Sequence, residues 1–243
     1  FTICTPSLDP LTDYVQPEDL AWSARVACAL DQLVENNHLT ALAYYYRGEP
    51  NTPYEKLGAS MILGNTLLTS RGVPLAGEAD LKTAAAMLIM SRLGGGGSFA
   101  ELHPFDLPTN SVLVGHDGPH NIAISEGKPR LRKLKQYHGK SGSGIGVEFS
   151  LKTGPVTLLS INYQPNGRFK LVAARGESLP GAIPQTGNTN TRVAFDGMPV
   201  TQFISQWCQA GPTHHLALGV GDHLAEIQAL ATMLNVDVQI IGK

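Results

Sequence analysis

Apolar positions recur at helical spacing through residues 18–36 (Leu20, Ala24, Ala27, Leu30, Leu33), which predicts an amphipathic helix entered through Pro17. LTALAYYYRG (39–48) is a short, almost wholly apolar run, the pattern of a strand covered on both faces. A second helix is expected over 55–72, stopped by Gly72, then a strand over 73–80 and a strong helix over 80–94 ending in glycine. Helix and strand alternate here, as in α/β folds with crossover connections. Gly94–Gly97 allows a backbone turn that other residues resist, with Glu101 and the LHPF stretch beyond it reading as loop and turn.

From about residue 110 the period shortens. SVLVGH, HNIAISE, RLRKL, GIGVEFSL, GPVTLLSINY, RFKLVAARGE and TRVAF read as closely spaced strands with turns such as Pro165-Asn166-Gly167 between them. Helices over 198–211 and 222–234 and the strand VDVQIIG close the chain. The predicted fold is an α/β region over 1–108 followed by a mostly antiparallel β-barrel over 109–243, a two-part α+β arrangement.

Composition narrows the function classes. Of 243 residues, 42% are hydrophobic, so a packed core is expected; 18 basic against 20 acidic residues argue against a dedicated nucleic-acid binder. The basic cluster Lys128, Arg130, Arg132, Lys133, Lys135 and Lys140 reads as a solvated strand edge more than an anion patch. No apolar run reaches the roughly 18 residues of a membrane span. Cys4, Cys28 and Cys208 are far apart and form no CxxC, so buried free thiols in a reducing, cytoplasmic setting are expected. The chain starts FTICTPSLDP, without Met or a signal-peptide pattern, which suggests a fragment or a processed product.

The candidate chemistry lies in sparse metal-type side chains beside small residues: Glu78 in GEADLKTA, Glu101 in GGGGSFAE, His116 in VLVGHDGPH, and His214-His215 in GPTHHLALG. Two carboxylates and two imidazoles suit a borderline-hard divalent ion such as Mn²⁺. Each has an ordinary alternative. Glu78 can complement a helix dipole, Glu101 can be an exposed loop acid, and His116 can be a satisfied structural histidine. Adjacent strand residues face opposite ways, so only one of His214 and His215 is expected to face a given site. HEXXH, Walker A, a GxGxxG in its strand–helix setting and a serine-hydrolase elbow are absent, and Ser141-Gly142-Ser143-Gly144 lacks the context for the last.

From about Gly72 onward these motifs, in this order, resemble the C-terminal part of the L-arabinose isomerase family, with L-fucose isomerases as more distant kin. GPVTLLSINYQPNGRFKLVAARGE and TRVAF also look like strands of that family's barrel. The resemblance implies metal ligands at Glu78, Glu101, His116 and His215, with His214 as the fallback. It implies aldose–ketose isomerisation of L-arabinose or a related aldose through an enediol. Glu78 and Glu101 would move the protons. A homo-oligomer, and an N-terminal α/β region that has no counterpart here, are also implied. LHPF after Glu101 and DGPHN after His116 depart from the family pattern at positions expected to touch sugar. Lys82 and Asp80 are candidate supporting residues beside Glu78, with Arg175 and Asp117 as weaker ones. The alternative reading is a non-catalytic sugar- or metal-binding or assembly fragment.

Overall fold

The computed structural model describes residues 15–46, 49, 52–134, 144–181 and 190–242. Cys4, Arg47, Gly48, Lys135, His138, Lys140 and Ser141–Ser143 fall outside the described residues.

The N-terminal helix α1 spans Pro17–Asn37, with proline in its first turn and His38 ending it in the left-handed conformation. The apolar run after it forms only a two-residue strand, β1 (Leu42–Ala43), paired in parallel with β2 (Leu75–Ala76). Its residues are half-buried rather than fully covered, Leu42 packing against the cluster of Val26, Leu30, Leu68 and Leu75 and Ala43 against a second apolar cluster. The helix expected over 55–72 is broken in two, α2 (Pro53–Ala59) and α3 (Ile62–Ser70). The break falls at buried Ser60, whose hydroxyl bonds back to the Lys56 carbonyl and accepts from Trp22 Nε1. Helix α4 (Leu81–Arg92) starts at Asp80, whose carboxylate accepts from the Thr83 N–H at 3.0 Å.

The stretch read as loop and turn is instead a nine-residue strand, β3 (Ser98–Asp106). It is entered through a turn that glycine alone accommodates: Gly97 has φ +66°, and a Cβ there would lie 2.5 Å from the Met87 carbonyl oxygen. Then come β4 (Ser111–Gly115), a short 3₁₀ turn (Ile122–Ile124) where a strand was expected, and the β5–β6 hairpin (Ser125–Lys133 with Ile145–Leu151). The remaining elements are β7 (Gly154–Tyr163), β8 (Phe169–Ser178), β9 (Thr191–Ala194), α5 (Val200–Ala210), β10 (His215–Val220), α6 (Leu224–Leu234) and β11 (Asp237–Ile241).

Seven strands form one mixed, mostly antiparallel sheet in the order β11-β8-β7-β10-β3-β4-β9. β3, from the first part of the chain, is an inner strand between β10 and β4. Strand β11 runs parallel to β8, and β9 pairs with β4 and also returns to β8 through Glu177↔Ala194 and Ser178↔Val193. The two-residue period of each strand divides the core in two. Ala100, Val112, Val114, Val156, Leu158, Val172, Ala174, Leu216 and Leu218 point to one side and pack together with Phe203 and Trp207 of α5. Phe99, Leu159, Leu171, Ala173 and Ala217 point to the other and pack under α4 and α6 against Met87, Met90 and Ile227. This second face leads directly into the candidate site. No helix among the described residues is long and apolar enough to cross a membrane. Cys28 and Cys208 are free, as expected, but exposed on their helices rather than buried.

Candidate metal centre

The site begins with strand register. His215 opens β10 opposite Glu101 of β3, and the next residue on the same face of each strand makes the pair Ala217 and Phe99. Phe99 is fully buried and wedged between two imidazoles, its ring centre 4.4 Å from that of His215 and 4.5 Å from that of His116. His116 follows β4 directly, and its ring centre lies 5.3 Å from that of His215. Gly118 makes room for it: a Cβ there would lie 2.9 Å from His116 Nδ1.

The acidic members come from two directions. Glu78 sits in the turn between β2 and α4, with one carboxylate oxygen 4.0 Å from His116 Nε2 and the other 3.7 Å from His215 Nε2. Glu101 rises from β3, where its Oε2 lies 2.7 Å from His214 Nε2 and its Oε1 3.7 Å from His103 Nε2. Two sets of donor atoms therefore lie within 4.8 Å of one another, Glu78 with His116 and His215, and Glu101 with His214 and His215. Either set has the oxygen and nitrogen chemistry to hold a divalent cation. The expectation that only one of the adjacent histidines can reach the site does not hold for Glu101. His214 precedes the first residue of β10, so strand alternation does not govern it, and it reaches Glu101 from solvent while His215 stays buried.

Asp80 ties the arrangement together. Its Oδ2 lies 3.2 Å from His215 Nδ1 and accepts from the Thr83 hydroxyl at 2.8 Å. Burial alone would raise this carboxyl's pKa. The hydrogen bonds from His215 and from the Thr83 N–H and hydroxyl, with Lys82 nearby, outweigh burial and hold it well below the usual carboxylate range. A charged Asp80 can only accept, so this bond places a proton on His215 Nδ1, and it is the neutral ring in that tautomer that presents a lone pair at Nε2. That Nε2 is buried, has no hydrogen-bond partner, and faces Glu78. A buried nitrogen acceptor left in this way is costly unless something fills the position, and a metal ion is one group that could.

Beneath His116 lies a further buried imidazole, that of His120. The His120 N–H donates to the Thr66 hydroxyl at 3.2 Å, and its ring hydrogen-bonds the His116 backbone. Burial, helped by the Arg132 charge, pushes the His120 pKa down to about 3, so it is neutral. Of the weaker candidates, Asp117 pairs with Arg132 at 3.2 Å, and Lys82 lies 4.0 Å from Asp80. Arg175 pairs with Glu177, Asp196 and Asp222, none of them members of the cluster. By sequence His103 is close enough to Glu101 to matter but sits in a stretch that reads as a turn; in the structure it lies on β3, where the alternation Phe99, Glu101, His103 puts it beside Glu101.

Comparison with known proteins adds a family. Residues 96–237 match the L-arabinose isomerase C-terminal domain, a stretch that includes Glu101, His116, His214 and His215 and leaves Glu78 outside. The chain is similar to a sulfoquinovose isomerase of Priestia aryabhattai, 26% identical over 219 residues, covering 89% of this chain and 47% of the relative. It is also similar to an L-arabinose isomerase of Herpetosiphon aurantiacus, 31% identical over 183 residues, covering 70% of this chain and 36% of the relative. A third is the L-arabinose isomerase 1 of Bacillus licheniformis, 25% identical over 234 residues, covering 93% and 46%. The chain thus spans about half the length, or less, of these relatives. Since the matched stretch takes in more than half of the 243 residues and runs from β3 through α6, this protein belongs to the family of the L-arabinose isomerase C-terminal domain.

Proposed function

We propose that this chain is the metal-binding part of an aldose–ketose isomerase whose substrate is L-arabinose or a related open-chain aldose. The observation that carries the reading is the His215 ring, with Nδ1 held by Asp80 and Nε2 buried, partnerless and facing a carboxylate. Both donor sets share His215, and with Nδ1 taken only Nε2 is left to bind. The two sets are therefore read as one centre, with Glu78, Glu101, His116 and His215 as ligands and His214 as the partner of Glu101. Family membership and relatives named as sugar isomerases support the same reading.

A divalent cation bound here, Mn²⁺ in this reading, supplies Lewis-acid polarisation of neighbouring sugar oxygens. The chain's own residues do the rest. The C2 hydrogen of an aldose is barely acidic until its carbonyl is polarised, after which a carboxylate can take it and return it to C1. Glu78 and Glu101 divide this work, one at carbon and the other among the oxygens. His214 and His103 flank Glu101 and steady its carboxylate. Phe99 closes the floor of the site and keeps water from the inner face of both imidazoles.

The return pairing of β9 to β8 supports reading the sheet as a barrel whose outer face carries the centre. The span of about half the relatives' length fits a chain that works with further sequence, and the homo-oligomer is carried by the family resemblance alone. It also favours a second reading, a half-site that binds metal or sugar without turnover. Free cysteines at positions 28 and 208 fit a cytoplasmic setting.

The test is an isomerase assay of the chain on L- and D-aldoses with Mn²⁺ and with EDTA, alongside direct Mn²⁺ titration. Metal-dependent interconversion of one aldose is expected. Tight Mn²⁺ binding without turnover selects the second reading, and neither binding nor turnover sinks both.

A further inference from the structure

The turn that carries Glu78 has an unusual backbone. Glu78 has φ +55° and Ala79 has φ +58°, two consecutive non-glycine residues in the left-handed region. Side chains of L-residues crowd the following carbonyl there, and apart from Asn and Asp few residues other than glycine adopt it readily. Such a conformation persists only where surrounding bonds over-determine it, and outliers of this kind gather at functional sites.

The bonds are on both sides of the turn. The Ala79 N–H donates to the Tyr44 carbonyl at 2.7 Å, and the Tyr44 N–H donates to the Ala76 carbonyl at 3.1 Å, so the strand β1 continues as a latch along the turn. The Asp80 N–H donates to the Gly77 carbonyl at 3.1 Å and the Leu81 N–H to the Ala79 carbonyl at 3.0 Å. The result is that Glu78 and Asp80, two positions apart, address the two nitrogens of one imidazole: Glu78 faces His215 Nε2 and Asp80 holds His215 Nδ1. Residue 79 makes none of these side-chain contacts itself; what it supplies is the direction of the chain between them.

We propose that Ala79 is a positioning residue for the metal centre, its left-handed backbone, latched to the Tyr44 carbonyl, aiming the Glu78 carboxylate at His116 and His215. The proposal rests on the reading of Glu78, His116 and His215 as metal ligands. It also gives the N-terminal segment 42–44 a function, that of holding a ligand turn lying outside the stretch that matches the family.

The experiment compares the purified chain with Ala79→Val and Ala79→Gly, measuring Mn²⁺ affinity by titration and thermal midpoint in EDTA. A β-branched residue resists the left-handed region, whereas glycine enters it freely. Ala79→Val is expected to weaken Mn²⁺ binding by about tenfold or more, the scale of losing a group that orients a ligand. Ala79→Gly is expected to keep wild-type affinity with a midpoint in EDTA no lower than wild type. Wild-type affinity in a folded Ala79→Val overturns the proposal, as does an equal loss in both variants, since the side chain and not the backbone would then matter. If Ala79→Val does not fold, Ala79→Gly still decides: a midpoint several degrees below wild type shows that residue 79 does not hold a glycine-favouring conformation. The two readings separate cleanly. A wild-type chain that does not bind Mn²⁺ removes the metal centre and this proposal with it. Binding that is lost in His215→Ala but untouched in Ala79→Val removes this proposal alone.

Discussion

The candidate centre has two halves built on different principles. Its strand-borne half, His215 and Glu101 with Phe99 between the rings, is set by the register of β10 on β3 and sealed by the apolar layer under α4 and α6. Its turn-borne half, Glu78, Ala79 and Asp80 with the His116 loop, hangs on individual hydrogen bonds: the Ala79 N–H to the Tyr44 carbonyl, Thr83 and His215 to Asp80, His120 to the His116 backbone. A ladder resists distortion because every residue shares its constraints with neighbours on two strands. A turn is only as fixed as its few bonds. The strand half therefore presents rigidly held donor atoms and the turn half a carboxylate more open to solvent; the Glu78 side chain is the more exposed of the two glutamates, 39% against 21%.

Three further measurements press on this comparison. The largest effect is expected in the strand half. Glu101→Gln keeps shape and register but cannot take a proton, so turnover with saturating Mn²⁺ should fall by about 10²–10⁴-fold with an unchanged circular dichroism spectrum. Full activity in that variant removes Glu101 from the chemistry. Next comes Asp80→Asn in the turn half. Asn still caps α4, so the fold should hold, but the charge that fixes the His215 proton on Nδ1 is gone. Mn²⁺ affinity should drop about 10–100-fold by titration, the usual scale for a partner that orients a metal-binding histidine. An unchanged affinity would mean that the Asp80–His215 bond serves only the helix end.

The smallest effect is one of pH. His120, under the His116 loop, has its pKa pushed down from 6.5 to about 3 in the folded chain. Below pH 6.5 the unfolded chain takes up a proton that the folded chain refuses, so stability is full above that pH and declines as pH falls toward 3. One proton corresponds to a slope of up to about 1.4 kcal/mol per pH unit. Urea melts between pH 6.5 and 4.5 should show a shallower decline in His120→Gln than in wild type, and parallel declines would place the acid sensitivity elsewhere.

Much of the fold was legible locally. Helix α1, helix α4, the later helices and most strands of the second half follow from apolar spacing, because a helix or strand of ordinary length shows its buried face as a 3.6- or 2-residue period. Beta-3 was not legible. Its glycine approach and the proline in LHPF are strong turn signals, and they hid an alternation, Phe99, Glu101, His103, that only its pairing with β4 and β10 makes meaningful. The parallel placement of β11 on β8 was equally hidden, since nothing in VDVQIIG states which neighbour it will have. The centre itself was half legible. Its donor types were visible as rare polar side chains beside small residues, but the choice between His214 and His215 was not, because it depends on where β10 begins and on an aspartate 135 positions earlier in the chain.

By itself, then, the amino-acid order determined the inventory: which segments coil, which extend, and that a short list of carboxylates and imidazoles was available for a divalent ion. The tertiary structure decided the arrangement. It brought Asp80 to one nitrogen of His215 and Glu78 to the other, set both histidines 214 and 215 near Glu101, and bent Glu78 and Ala79 into the left-handed region. The reason is one of range. Periodicity and capping are encoded within a few residues, whereas proton placement on an imidazole and the aim of a carboxylate are settled by contacts between segments that meet only when the sheet has formed.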